Sequence, residues 1–143
     1  MIWRGIISKF ISASEDQTRK YAAEFARKLT GNEKICLIGP LGSGKTTFVR
    51  GFVESFGIPA ASVQSPTFTL VREYGSTRKI FHADLYRLEN EEEIFEAGIF
   101  DLLTGDDLVL VEWADKLTKY YPEPSVEVRF SHGAEGGRVI EVM

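Results

Sequence analysis

The chain has 143 residues, the length of one domain, and its 43% apolar and 27% charged side chains suffice for a buried core under a soluble surface. A net charge of −4 argues against a protein that grips nucleic acid alone by neutralising phosphates, and leaves RNA to be met only inside a larger assembly. The single cysteine excludes an internal disulfide. No run approaches the roughly 18 apolar residues of a membrane span and the N-terminus lacks an apolar signal core, so no membrane contact and a cytoplasmic location are expected.

In chain order, Arg4 to Ile11 is β-branched and aromatic enough for an edge strand, interrupted by Ser8 and Lys9. Ser14 with Gln17 three residues later is a capping-box pair that should open a helix. Tyr21, Ala22, Phe25 and Leu29 give this helix its buried stripe, and Thr30-Gly31-Asn32 ends it. Ile35-Cys36-Leu37-Ile38 reads as a buried strand in which Cys36 is a small core residue.

Directly after it stands Gly39-Pro40-Leu41-Gly42-Ser43-Gly44-Lys45-Thr46-Thr47, which fits G-x-x-x-x-G-K-[ST], the phosphate-binding loop of P-loop NTPases. Phe48, Val49, Phe52, Val53 and Phe56 follow at the spacing of one helical face, so the motif has the strand and helix it requires. Glycines let the backbone close around a phosphate, and the helix N-terminus adds partial positive charge. Gly42, Ser43, Gly44, Lys45, Thr46 and Thr47 are the expected phosphate cradle, with Lys45 reaching the β- and γ-phosphates and the Thr46 hydroxyl ligating Mg²⁺. The expected ligands are therefore a nucleoside triphosphate and Mg²⁺.

Beyond Gly57 and Pro59, the segment from Ser65 to Tyr74 opens as a polar loop and becomes a strand. Gly75-Ser76-Thr77 turns it into a second strand, Lys79 to Tyr86, as an antiparallel hairpin. Asn90 caps a helix whose first turn is Glu91-Glu92-Glu93, a solvated complement to the helix dipole, and Ile94, Phe95, Gly98, Ile99 and Leu102 are assigned to its inner face. Leu108 to Val111 is continuously apolar, as a parallel strand covered on both faces should be. Pro122 and Pro124 break the chain before two strands joined by the glycine-rich turn from His132 to Gly137. The sum is an α/β fold: a single P-loop NTPase domain over residues 1–143, with a mixed, mostly parallel central sheet flanked by helices and a C-terminal β-hairpin.

A P-loop enzyme needs a carboxylate on the metal and water side of the phosphates. Glu112 ends the apolar strand, where open α/β sheets place their ligands, and is the expected metal-side acid. Asp84 lies on an alternating strand and faces either the site or solvent. Thr67 either senses the γ-phosphate or stabilises the turn after Pro66. His82 is read as a structural ring with a satisfied hydrogen bond, Tyr74 and Tyr86 as packing groups, and Trp113 as a gate or a filler beside Glu112.

Four stretches together carry a resemblance: Gly39 to Gly51, Ser65-Pro66-Thr67-Phe68-Thr69-Leu70-Val71, His82-Ala83-Asp84-Leu85-Tyr86-Arg87-Leu88 and Val111-Glu112-Trp113. In this order and spacing they resemble the TsaE (YjeE) family, the small ATPases of bacterial tRNA threonylcarbamoyladenosine synthesis, over nearly the whole chain. Pro40 stands where the family often has an acid and Ala114 where it often has a proline, departures that touch loop shape and no ligand. The resemblance implies ATP hydrolysis while docked on the TsaD–TsaB pair, which transfers threonylcarbamoyl to adenosine 37 of tRNAs reading ANN codons; tRNA is met only through that complex. It also implies Thr46 and Glu112 as Mg²⁺ ligands, Lys45, Asp84 and Glu112 as the residues of hydrolysis, and Glu15 as a nucleotide contact. The Gly137-Arg138 pair either brings a cation near the nucleotide or, the preferred reading, places a solvated arginine on the hairpin. A small-molecule kinase is the alternative enzyme, but no arginine for a lid stands between Asn90 and the C-terminal hairpin. A nucleotide-binding switch with negligible hydrolysis is the third reading.

Overall fold

A computed structural model describes residues 8–75, 78–122 and 125–143. Its strands are β1 (Ser8–Ser12), β2 (Lys34–Ile38), β3 (Val71–Tyr74), β4 (Ile80–Asp84), β5 (Leu108–Glu112), β6 (Ser125–His132) and β7 (Arg138–Val142). The helices are α1 (Glu15–Arg27), α2 (Lys45–Glu54), α3 (Glu91–Glu96) and α4 (Ile99–Thr104). All seven strands form one sheet in the order β1-β7-β6-β2-β5-β4-β3. The four central strands β6, β2, β5 and β4 run parallel, while β1, β7 and β3 add antiparallel neighbours at the two ends. This is the mixed α/β sheet with a C-terminal hairpin that the apolar pattern predicts.

Continuous apolar sequence places β2 and β5 at the centre, because helices cover both faces of the sheet there. On one face Ile35, Leu37, Leu108, Leu110, Val126 and Val128 pack under α1 and α2. Phe48 and Phe52 of α2 are fully buried there, each contributing on the order of 2–3 kcal/mol. On the other face Cys36, Ala83, Val109 and Val111 meet Ile94, Ile99 and Leu103 of α3 and α4. Cys36 is the core residue expected, and burial pushes its thiol up to about 12.

The Ser14 hydroxyl accepts from Gln17 N at 3.1 Å while Ala13 N donates to Gln17 Oε1 at 2.7 Å, so α1 starts where the capping pair predicts. The two covering helices cross in unusually close contact: a Cβ on Gly51 of α2 would sit 2.2 Å from the Arg19 carbonyl oxygen of α1. Phe25 then reaches both Phe48 and Phe52, with ring centroids 5.7 and 6.1 Å away.

Two local expectations change. The helix capped by Asn90 is two short helices, because Gly98 takes a left-handed φ of 79° and breaks the first from the second. That break turns Phe95 outward, to 69% exposure, instead of onto the inner face. The strand after the polar loop begins only at Val71: Leu70 has a φ of 69° and its N–H donates back to Pro66 O at 2.6 Å, which closes a turn. The N-terminal strand is placed from Ser8 to Ser12; its expected start at Arg4, the turn residues Ser76 and Thr77, and Pro124 lie outside the described residues.

Candidate functional site

Strand β2 delivers the chain to the loop at Gly39, and α2 begins directly after Gly44. Gly42 and Gly44 take φ values of 73° and 101°, a left-handed backbone that side chains disfavour and that turns successive N–H groups to one side. Gly44 offers no side-chain cap, and the helix's first bond of this kind is Phe48 N to Gly44 O at 2.9 Å. The N–H groups of Lys45, Thr46 and Thr47 therefore have no acceptor within the helix. The Ser43 hydroxyl, 1% exposed as a residue, has no partner among the described residues. Together these donors make a cradle for an anion.

Lys45 is 5% exposed and lies along its own loop, donating from Nζ to Gly39 O at 2.5 Å and Pro40 O at 3.0 Å. Its ammonium also sits 4.3 Å from the centre of the Trp113 ring, a cation–π contact, and Tyr86 packs on that ring at 5.1 Å. Trp113 holds this place with a φ of 61°. Burial lowers the Lys45 pKa, and the nearby charges of Glu112, Asp84 and Asp115 pull it back up.

The two acids come from adjacent parallel strands in register, Asp84 opposite Glu112, at the carboxyl ends of β4 and β5. Even-numbered residues of both strands face α2, which aims Glu112 at the start of that helix. The Thr46 hydroxyl lies 3.3 and 3.5 Å from the two Glu112 carboxylate oxygens. His82, fully buried, meets Glu112 Oε2 at 2.5 Å from the other side. Asp84 faces the site: Oδ2 accepts from the Thr67 hydroxyl at 2.8 Å and Oδ1 from Tyr86 N at 2.9 Å. The Ser65 and Thr67 hydroxyls share a further bond at 2.8 Å.

These groups surround a cavity of about 520 Å³. Gly42, Ser43, Gly44, Lys45, Thr46, Thr47, Asp84, Glu112, Thr67 and Glu15 all line it, so the residues expected to bind or act on the ligand are brought to one place. His82 is the structural ring expected, but its partner is Glu112 itself. Tyr86 is a wall of the cavity and 45% exposed, where packing alone was expected. Arg138 also lines the cavity, with Nη2 donating to Gly42 O at 3.0 Å, where a solvated hairpin side chain was expected. In the structure Arg138 starts β7 and pairs in register with Ser12, just before α1, which carries it to the loop.

The donor set fits a polyphosphate with a hard cation. Backbone N–H groups and the Ser43 hydroxyl suit phosphate oxygens, and the Thr46 hydroxyl and Glu112 carboxylate are oxygen ligands of the kind Mg²⁺ takes. Two protein oxygens would leave most of an octahedral shell to phosphate and water.

Residues 12–140 match the family model described as threonylcarbamoyl adenosine biosynthesis protein TsaE. The chain belongs to the TsaE family. A TsaE protein of Rickettsia bellii is 40% identical over 122 residues, covering 85% of this chain and 84% of that protein. Those of Aquifex aeolicus and Bacillus subtilis are 41% and 32% identical over 78% and 92% of this chain, and over 80% and 82% of their own lengths. The crystal structure of YdiB from Bacillus subtilis superposes with a TM-score of 0.73 at 25% identity, covering 98% of this chain and 87% of YdiB. TsaE family membership thus extends from β1 to β7, the span that contains the whole cavity wall. Among the described residues no helix is long and apolar enough to cross a membrane.

Proposed function

We propose that this TsaE-family chain is a Mg²⁺-dependent, ATP-binding and ATP-hydrolysing accessory subunit. It supports the TsaD–TsaB complex in forming threonylcarbamoyladenosine at position 37 of tRNAs reading ANN codons. It acts in the cytoplasm, meets tRNA only through that complex, and hydrolyses ATP weakly until its partner stimulates it. The observation that carries the reading is the Thr46 hydroxyl 3.3 Å from the Glu112 carboxylate at the mouth of an uncapped helix.

Each residue has a distinct task in this reading. The N–H groups from Gly44 to Thr47 and the Ser43 hydroxyl hold the β- and γ-phosphate oxygens, and Lys45 swings from Gly39 O and Pro40 O to add its charge there. Thr46 and Glu112 would hold Mg²⁺, which would supply positive charge against the phosphates. Asp84, fixed by Thr67 and Tyr86 N, orients the attacking water. The relatives' names, which assign them to tRNA threonylcarbamoyladenosine biosynthesis, support the pathway.

The test is ATP hydrolysis by the purified chain with and without TsaD–TsaB, in Mg²⁺. Lys45→Ala is expected to lower the rate by about 10²-fold, the scale of losing one preorganised charge. Native rates in that variant would remove the P-loop from the chemistry, and failure to co-purify with tagged TsaD–TsaB under ATP would remove the partner.

A further inference from the structure

The phosphate loop is reached from the far end of the chain. Arg138, the first residue of β7, donates from Nη1 to Gly136 O at 2.8 Å and Gly137 O at 3.1 Å, and from Nη2 to Gly42 O at 3.0 Å. The guanidinium is thus anchored to its own hairpin at one end and to the loop tip at the other. Its stem passes Gly44, with Cγ 4.0 Å from where a Cβ would stand.

The peptide it holds lies at the loop's weakest point. Gly42 and Gly44 carry no side chain, and nothing lies within 4 Å of the place a Gly42 Cβ would take, so packing does not fix the tip. Two hydrogen bonds do. The carbonyl of the Gly42–Ser43 peptide accepts from Arg138, and the N–H of the same peptide donates to Pro40 O at 3.2 Å. A peptide plane gripped on both edges cannot rotate, and its orientation sets that of the Ser43 hydroxyl and the Gly44 N–H that follow.

We propose that Arg138 is a positioning residue: a strut from the C-terminal hairpin that holds the Gly42–Ser43 peptide in its phosphate-binding orientation before any nucleotide arrives. Glycine-rich loops lose the most conformational entropy on ordering, and an external strut moves that loss from binding to folding. The fork geometry is essential, because one planar group must satisfy carbonyls on two separate elements at fixed angles. A lysine ammonium has charge but no such fork.

The effect on affinity rests on the nucleotide reading of the cavity; the effect on loop order does not. The experiment measures ¹⁵N order parameters of Gly42 and Ser43 in the nucleotide-free protein, and the ADP dissociation constant in Mg²⁺, for native protein, Arg138→Ala and Arg138→Lys. In both variants the two order parameters are expected to fall from about 0.85 towards 0.6, the change from rigid to flexible backbone. Both are also expected to bind ADP about tenfold more weakly, the scale of one charge-assisted hydrogen bond. Unchanged order parameters overturn the strut. So does a lysine variant that keeps native affinity while alanine loses it, since charge alone would then be the contribution. If native protein binds no ADP, the nucleotide reading fails, and the order parameters still decide for or against the strut.

Discussion

His82 Nε2 lies 2.5 Å from Glu112 Oε2, and the two side chains are 0% and 5% exposed. A carboxylate only accepts, so the hydrogen sits on Nε2, and Nδ1 has no partner among the described residues. A charged oxygen this deep needs a donor, and the ring supplies it from beneath while Thr46 approaches from above. His82→Ala is therefore expected to cost about 2–3 kcal/mol, from the lost charge-assisted bond and the space left behind. Urea unfolding measures it; an unchanged midpoint would mean that Glu112 needs no support from the ring.

The two acids should separate. Glu112→Gln keeps size but removes the charge a hard cation requires, so ADP affinity should become nearly the same in Mg²⁺ and in EDTA. Asp84→Asn should slow hydrolysis by about 10²-fold while ATP affinity stays within about threefold, the pattern of a group that orients water. Calorimetry with a phosphate-release assay distinguishes them, and the reverse pattern exchanges the roles.

Thr67 ties the polar loop to Asp84 with a 2.8 Å hydrogen bond. A loop held by the water-side acid is placed to report which nucleotide is present, and a partner resting on it would read that state. Thr67→Ala is expected to reduce the difference between ATP and ADP in docking on TsaD–TsaB, while changing ATP affinity by less than about threefold. Equal docking of mutant and native protein under both nucleotides would remove this loop from the coupling.

The phosphate loop and its flanks are legible in the sequence because they are local: a strand, glycines at fixed spacing and an apolar helical face follow one another between Ile35 and Phe56. Glu112 is legible for a related reason, as the residue at the end of an apolar run. His82 against Glu112 is not, because their contact depends on the parallel register of β4 and β5, which leaves no mark at either residue. Arg138 is harder still: its acceptor at Gly42 is 96 positions away and is a backbone carbonyl, which any residue type presents. The helix capped by Asn90 misleads because Ile94, Phe95, Ile99 and Leu102 fit one continuous helix as well as two. Only the conformation of Gly98 decides between them.

Gly51 has no part in the cavity wall, yet it lies one helical turn behind Thr47, and Arg19, which it touches, lies one turn behind Glu15. Glu15 and Thr47 both line the cavity, one carried by α1 and one by α2, so each helix supplies one jaw of the opening. A missing methyl group at the crossing therefore sets how far apart the jaws are hinged. Gly51→Ala would force the Arg19 backbone away, with an expected loss of about 2–3 kcal/mol in unfolding free energy. Because the crossing acts as the fulcrum, ADP affinity should fall as well, even though no ligand contact is altered; affinity held at the native value in a destabilised variant would show the jaws to be independent of the crossing. The width of the cavity is then constrained at a residue buried between two helices, and because the atoms it meets are Arg19 backbone, no side-chain change at Arg19 makes room for a methyl group at Gly51.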